Sequence, residues 1–199
     1  MLGWFAIVLQ FYLMLLNKTT PVPETILRFF SFFTILTNIL VAICFTAVAC
    51  TPSSKWGRFF SRPSNVTALA VYITVTGIVY NVILHFLWSP KGLQFIADEL
   101  LHSIIPVLFI FYWFIFVLNQ SLQWKNILPW LIYPTLYCIY LLVRGAVVNW
   151  YPYPFINANT LGYYQVVLNI VEMVILFVIV AVLLVVIAIQ ITNRSANKN

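Results

Sequence analysis

The stretch LQFIADELLHSIIPVLFIFYWFIFVL, residues 93–118, decides how this chain is read. Almost every side chain in it is apolar, and a run of this length crosses the ~30 Å hydrocarbon core of a bilayer as a helix. His102 stands about ten residues into it. An ionisable group at that depth costs roughly 3 kcal/mol or more unless it is paired or hydrated. Asp98 lies four residues earlier, one helical turn away on the same face, and Ser103-Ile104-Ile105-Pro106 follows. The segment therefore reads as a membrane span with a partnered histidine where a purely structural span would carry Leu.

The rest of the chain has the same character. Of 199 residues 63% are hydrophobic and 7% charged, and the mean hydropathy is +1.01. Soluble domains carry about 25% charged residues, so this chain cannot cover a water-facing surface. Its length accommodates about six spans of roughly 20 residues with short connections. The expected fold class is all-α: a polytopic integral membrane protein forming a bundle of six transmembrane helices. Residues 1–192 form a single domain and residues 193–199 a short polar cytoplasmic tail.

The spans are expected from Met1 to Leu16, Thr25 to Ala49, Thr67 to Trp88, Ser89-Pro90 to Leu118, Ile127 to Arg144 and Tyr163 to Ile191. Between them lie the helix breakers Thr51-Pro52 to Arg62-Pro63 and Tyr151-Pro152-Tyr153-Pro154. The first segment lacks a positive n-region and a small-x-small cleavage site, so it reads as a retained helix. Lys55, Arg58, Arg62, Lys125, Arg194 and Lys198 fall on one side. Lys18, Arg28, Lys91 and Arg144 fall on the other, and Arg28 and Arg144 lie within or at the edge of spans. The positive-inside rule then places both termini and the 51–66 loop in the cytoplasm, with a bacterial plasma membrane as the expected location.

The net charge of +6 has a matching explanation, because juxtamembrane cations orient the chain and touch anionic headgroups. No basic, aromatic-interleaved soluble patch points to nucleic acid. Cys44, Cys50 and Cys138 are scattered without CxxC spacing and read as free, packed thiols. No metal and no cofactor is expected, since His85 and His102 stand on different helices without a ligand-type neighbour at i+4.

With this orientation the polar residues inside the spans sort by depth. Thr34, Thr37 and Asn38 lie about ten residues from the outer end of helix two, roughly 14 Å at ~1.5 Å per residue. His102 and Glu172 lie similarly on helices four and six. Asn81 and His85 occupy the outer part of helix three, and Arg144 ends helix five on that side. All fall in the outer half, on five helices, which implies one polar chamber opening away from the cytoplasm.

Each residue also has a plainer reading. A membrane threonine commonly bonds its own i−4 carbonyl, and a membrane asparagine commonly joins helices. His85 fits an interfacial histidine, and Arg144 with Glu172 fits a structural ion pair. The chemistry best matched is a hydroxyl nucleophile, Thr34, with His102 as base and Asp98 or another acid as orienter. Thr37, three residues along on nearly the same face, stays open as the alternative hydroxyl.

Five segments carry a family resemblance. Phe32-Phe33-Thr34-Ile35-Leu36-Thr37-Asn38 resembles the threonine-bearing helix of the androgen-induced protein and ADTRP family of six-helix membrane hydrolases. Leu101-His102-Ser103-Ile104-Ile105-Pro106 resembles that family's histidine segment. Tyr133-Pro134, Arg144-Gly145 and Tyr151-Pro152-Tyr153-Pro154-Phe155 look like its bacterial branch. The resemblance implies Thr34 as nucleophile, His102 as base, and fatty acid esters of hydroxy fatty acids as a substrate class. The expected function is hydrolysis of an ester in an acyl-bearing membrane lipid, with Asn38, Asp98, Thr37, Asn81, His85, Arg144 and Glu172 in support. The alternative is a transporter or binding protein for a small solute or lipid that uses the same chamber.

Overall fold

In the computed structural model the chain is described over residues 1–87, 89–117 and 122–196, with side chains to residue 193. Among these residues every regular element is helical. Five helices are long and apolar enough to cross a membrane: Phe33–Cys50, Pro63–Leu84, Leu93–Phe116, Trp124–Val148 and Ala158–Asn193. Leu2–Leu16, α1, is apolar but shorter at 15 residues. Large apolar side chains such as Phe111, Ile115, Leu136, Ile175 and Ile179 stand exposed on the outside of the bundle. So many exposed large apolar side chains suit a lipid surrounding. Trp88, Leu118, Lys198 and residues 197–199 of the expected tail lie outside the described residues, and residues 193–196 continue the last helix.

The second expected span is corrected. Thr25–Ala49 is not one helix but two: α2, Val22–Phe29, and α3, Phe33–Cys50. The break has a specific cause. The ladder tightens to i−3 at the Ser31 and Phe32 amides, and the Ser31 hydroxyl donates back to the Leu27 carbonyl at 2.7 Å. The Tyr137 hydroxyl then donates to the Ser31 carbonyl at 2.7 Å and accepts from the Phe33 amide at 3.0 Å. A side chain from a helix 104 residues away thus takes both backbone groups that would have continued the helix. Thr34 consequently sits in the first turn of α3 and not ten residues inside a helix.

The other boundaries move less. α4, Lys55–Phe60, is a short helix in the loop expected on the cytoplasmic side, with the Ser54 hydroxyl accepting from the Gly57 amide. α5, Pro63–Val79, ends in a π-helical turn, Tyr80–Leu84. The fourth span begins at Leu93 and not at Ser89-Pro90, because Gly92 at φ 58 turns the chain just before it. It comprises α6, Leu93–Glu99, a π-helical turn over Leu100–Ile104, and α7, Ile105–Phe116. The fifth comprises a 3₁₀ turn at Trp124–Asn126, α8, Ile127–Trp130, and α9, Ile132–Val148. α10, Ala158–Ala196, is kinked at Gly162 (φ 75).

Packing at the centre is aromatic and fixes which helices meet. Phe33 of α3 contacts the rings of Tyr72, Tyr133, Tyr137 and Phe177, from α5, α9 and α10. The Tyr72 hydroxyl donates to the Trp130 carbonyl at 2.7 Å, and the Trp113 indole donates to the Thr67 hydroxyl at 2.9 Å. Tyr72 and Trp113 thus each end on a polar partner, as buried hydroxyl and indole groups usually do.

Candidate functional site

The histidine expected from the sequence sits where two π-helical turns meet. Tyr80 begins one and His102 is in the middle of the other. Their rings stack at 3.9 Å between centroids and 13° between planes. A π turn carries one extra residue per turn and shifts the side chains around it, which is why such turns recur at functional sites. Here the two turns bring the rings face to face. On the backbone side, the Asn81 side-chain amide donates to the Gly77 carbonyl at 2.9 Å and reaches the His102 carbonyl at 3.4 Å. The helices approach closely there, since a Cβ on Gly77 would lie 3.1 Å from the His102 carbonyl oxygen.

The expected pairing of Asp98 with His102 is present in altered form. His102 Nδ1 lies 2.9 Å from the Asp98 backbone carbonyl, while the nearer carboxylate oxygen is 3.9 Å away. A carbonyl can only accept, so this contact requires the proton on Nδ1 and leaves Nε2 with a free lone pair. Asp98 orients the ring mainly through its backbone. Its carboxylate accepts from the Tyr80 hydroxyl at 3.1 Å and so anchors the ring that covers His102.

Thr34 and His102 line the same cavity, of about 530 Å³, together with Tyr80, Asp98, Leu101 and Tyr153. Thr34 also lines a second, narrow and almost wholly apolar slot among Val75, Leu141, Met173 and Phe177. It thus stands at the junction of a chamber with polar groups and a slot without them. Its backbone is held by Asn38, whose amide donates to the Thr34 carbonyl at 2.9 Å and across to the Leu101 carbonyl at 3.1 Å. One asparagine therefore ties the threonine's turn to the residue before His102.

The remaining expected site residues divide clearly. Thr37 and Asn38 are fully buried and line neither cavity, so of the two threonines only Thr34 faces the space that His102 faces. His85 is exposed beyond the end of the π turn, edge-on to Tyr80, and Asn81 is exposed on the far side of the His102 backbone. Glu172 is exposed on the outer face of α10 and lines neither cavity. The expected pair of Arg144 with Glu172 is not formed. Arg144 instead meets Glu24 of α2 at 2.9 Å, Glu24 also meets Arg28 at 2.8 Å, and both guanidiniums lie over the Trp150 ring at 5.0 and 4.7 Å. The break before α3 turns α2 so that Glu24 lies within reach of α9. The Arg28 hydrogen bond holds the Glu24 carboxyl below its ordinary range; partial burial works against this, and Arg144 adds to the lowering.

Sequence reasoning missed Tyr80, Tyr153, Glu24 and Trp150. Tyr80 gives no signal in a list of ionisable groups, because its role depends on the π turn. Glu24 was legible as a carboxylate four residues before Arg28, a helical pair spacing. Among the described residues no three His, Cys, Asp or Glu side chains converge as a metal cluster would require. Comparison with protein-family models, with curated proteins and with solved structures returns no match for this chain.

Proposed function

We propose that this protein is a membrane-embedded hydrolase that cleaves an ester in an acyl-bearing lipid, with Thr34 as nucleophile and His102 as general base. The observation that carries the reading is the shared cavity: a hydroxyl in the first turn of α3 and an imidazole with its Nε2 lone pair free line one space. In this reading six apolar helices cross a bacterial plasma membrane with both termini cytoplasmic, and the cavity opens in the outer half. Fatty acid esters of hydroxy fatty acids are one candidate substrate class, consistent with a threonine set between a roomy chamber and an apolar slot.

The chemistry would run as follows. Thr34 Oγ attacks the ester carbonyl while His102 Nε2 takes its proton. The oxyanion forms next to the start of α3, where the amides after Phe33, whose own N–H is held by Tyr137, lack intrahelical partners and carry partial positive charge. Collapse expels the alcohol, which takes its proton from His102. Water then attacks the acyl-threonine with His102 again as base, giving the carboxylic acid and free threonine. Tyr80 and the Asp98 carbonyl hold the imidazole in place throughout, so little reorientation is needed at the moment of proton transfer.

The test is covalent. Purified protein is treated with an alkyl fluorophosphonate and digested, and the modified residue is found by mass spectrometry. Labelling of Thr34 that disappears in His102→Ala supports the reading. A wild-type protein that cleaves no ester in a broad lipid panel and takes no label overturns it in favour of a binding or transport role.

A further inference from the structure

A third cavity, of about 610 Å³, lies between the Asn17–Thr20 connection and the segment around Lys91. It shares Gln10, Met14, Phe32 and Gln94 with the cavity of Thr34 and His102, so the two spaces have a common wall. Across that wall Gln94 Nε2 donates to Gln10 Oε1 at 2.8 Å, a polar sill joining α6 to α1. Phe32 and Met14 provide the apolar surface beside it.

The charge in this vestibule is one-sided. Lys18, Arg28 and Lys91 line it, and no carboxylate does. Arg28 pairs with Glu24 at 2.8 Å, a single carboxylate that it shares with Arg144 at 2.9 Å. Lys18 and Lys91 are exposed, and among the described residues neither makes an ion pair. Thr19 and Ser89, close to them in sequence, add hydroxyls to the lining. Gly92, at φ 58, is where the chain turns before α6 with Lys91 on the vestibule side. Two ammonium groups without a carboxylate partner, lining one open hollow, attract a negative group.

We infer that this vestibule binds the anionic group, carboxylate or phosphate, of an amphiphile whose chain passes the Gln10–Gln94 sill into the cavity of Thr34 and His102. The inference rests on the hydrolase reading for what happens to that chain, but the binding it describes does not. Lys18 and Lys91 thereby select acidic amphiphiles over neutral ones. Arg28, which shares Glu24 with Arg144, shapes the wall and adds a positive charge that Glu24 offsets only in part.

The experiment uses the full chain in a nonionic detergent with cis-parinaric acid and its methyl ester as probes, read by energy transfer from tryptophan. Two surface charge contacts of ordinary strength correspond to a preference for the acid of about tenfold. That preference should shrink as salt rises, because exposed charges are screened. Lys18→Gln with Lys91→Gln should bring acid and methyl ester together, Lys18→Arg with Lys91→Arg should restore the preference, and Lys55→Gln should leave it unchanged. Competition by oleate against lysophosphatidylglycerol, with lysophosphatidylcholine as the zwitterionic control, tells a carboxylate from a phosphate source. Equal binding of acid and ester by the wild type, or a preference that survives the double glutamine variant, overturns the inference. A protein that shows the lysine-dependent preference but hydrolyses no ester refutes the hydrolase reading alone; hydrolysis without the preference refutes the vestibule alone.

Discussion

Removing one oxygen atom from Tyr137 should loosen the helix that carries Thr34. The Tyr137 hydroxyl is the common partner of the Ser31 carbonyl and the Phe33 amide, both at the break between α2 and α3. Ser31 is fully buried and Tyr137 is 9% exposed, so water cannot easily take over either contact. Tyr137→Phe keeps the ring against Phe33, at 5.0 Å between centroids, and leaves one buried donor and one buried acceptor unmatched. Each such group costs about 1–3 kcal/mol, so the variant should lose about 2–6 kcal/mol. For a chain of this size that is a fall of roughly 4–24 °C in Tm. Tryptophan-monitored melting in detergent measures the shift, and hydrogen exchange at residues 31–36 should rise well before the rest of α3. Ester hydrolysis should fall further than stability does, because the first turn of α3 sets where Thr34 points. A Tm within 1 °C of the wild type, with unchanged exchange at Phe33, would show that the break is made by the local sequence and that Tyr137 does not hold it.

Other outcomes follow from the same geometry. Thr34→Ala and His102→Ala should each abolish hydrolysis while the fold is kept, and the double variant should be little worse than either, because the two act as one unit; full activity in a folded Thr34→Ala protein refutes the assignment. Asp98→Asn should cost far less activity than His102→Ala, since the contact to Nδ1 comes from the backbone carbonyl that the variant retains; equal losses would show that the carboxylate is the working partner. Glu24→Gln and Arg144→Ala should each lower Tm, with the double variant milder than the sum, whereas Glu172→Gln should combine additively with Arg144→Ala. Acid should act through the same carboxylate: its folded-state pKa is depressed, so the stability it contributes is complete above the ordinary value near ~4.3 and is lost as pH falls through the lower folded value. The Tm gap between wild type and Glu24→Gln should therefore be constant from pH 7 to about pH 5 and close below about pH 4. A cysteine at position 55 in intact cells should resist a membrane-impermeant reagent; labelling from outside reverses the proposed orientation.

The sequence by itself determined the class of the molecule and the residues of interest. A chain with 7% charged residues has no way to fold in water, and a histidine or threonine within such a chain is conspicuous because the surrounding side chains are uniform. Thr34, His102, Asp98 and Asn38 were all legible for that reason, and the structure places them around one short reach of α3 and the π turn. The break before α3, the two π turns and the partner of Arg144 were decided only by the tertiary structure. Local periodicity cannot show that a tyrosine 104 residues away will take the Phe33 amide, because that competition exists only once α9 packs against α3. The break in turn gives α2 its own direction, and it is α2 that brings Glu24 to Arg144 and leaves Glu172 facing outward. Depth along a helix is a one-dimensional quantity that sequence supplies. Which groups meet at a given depth depends on how each helix is rotated and interrupted, and packing sets that.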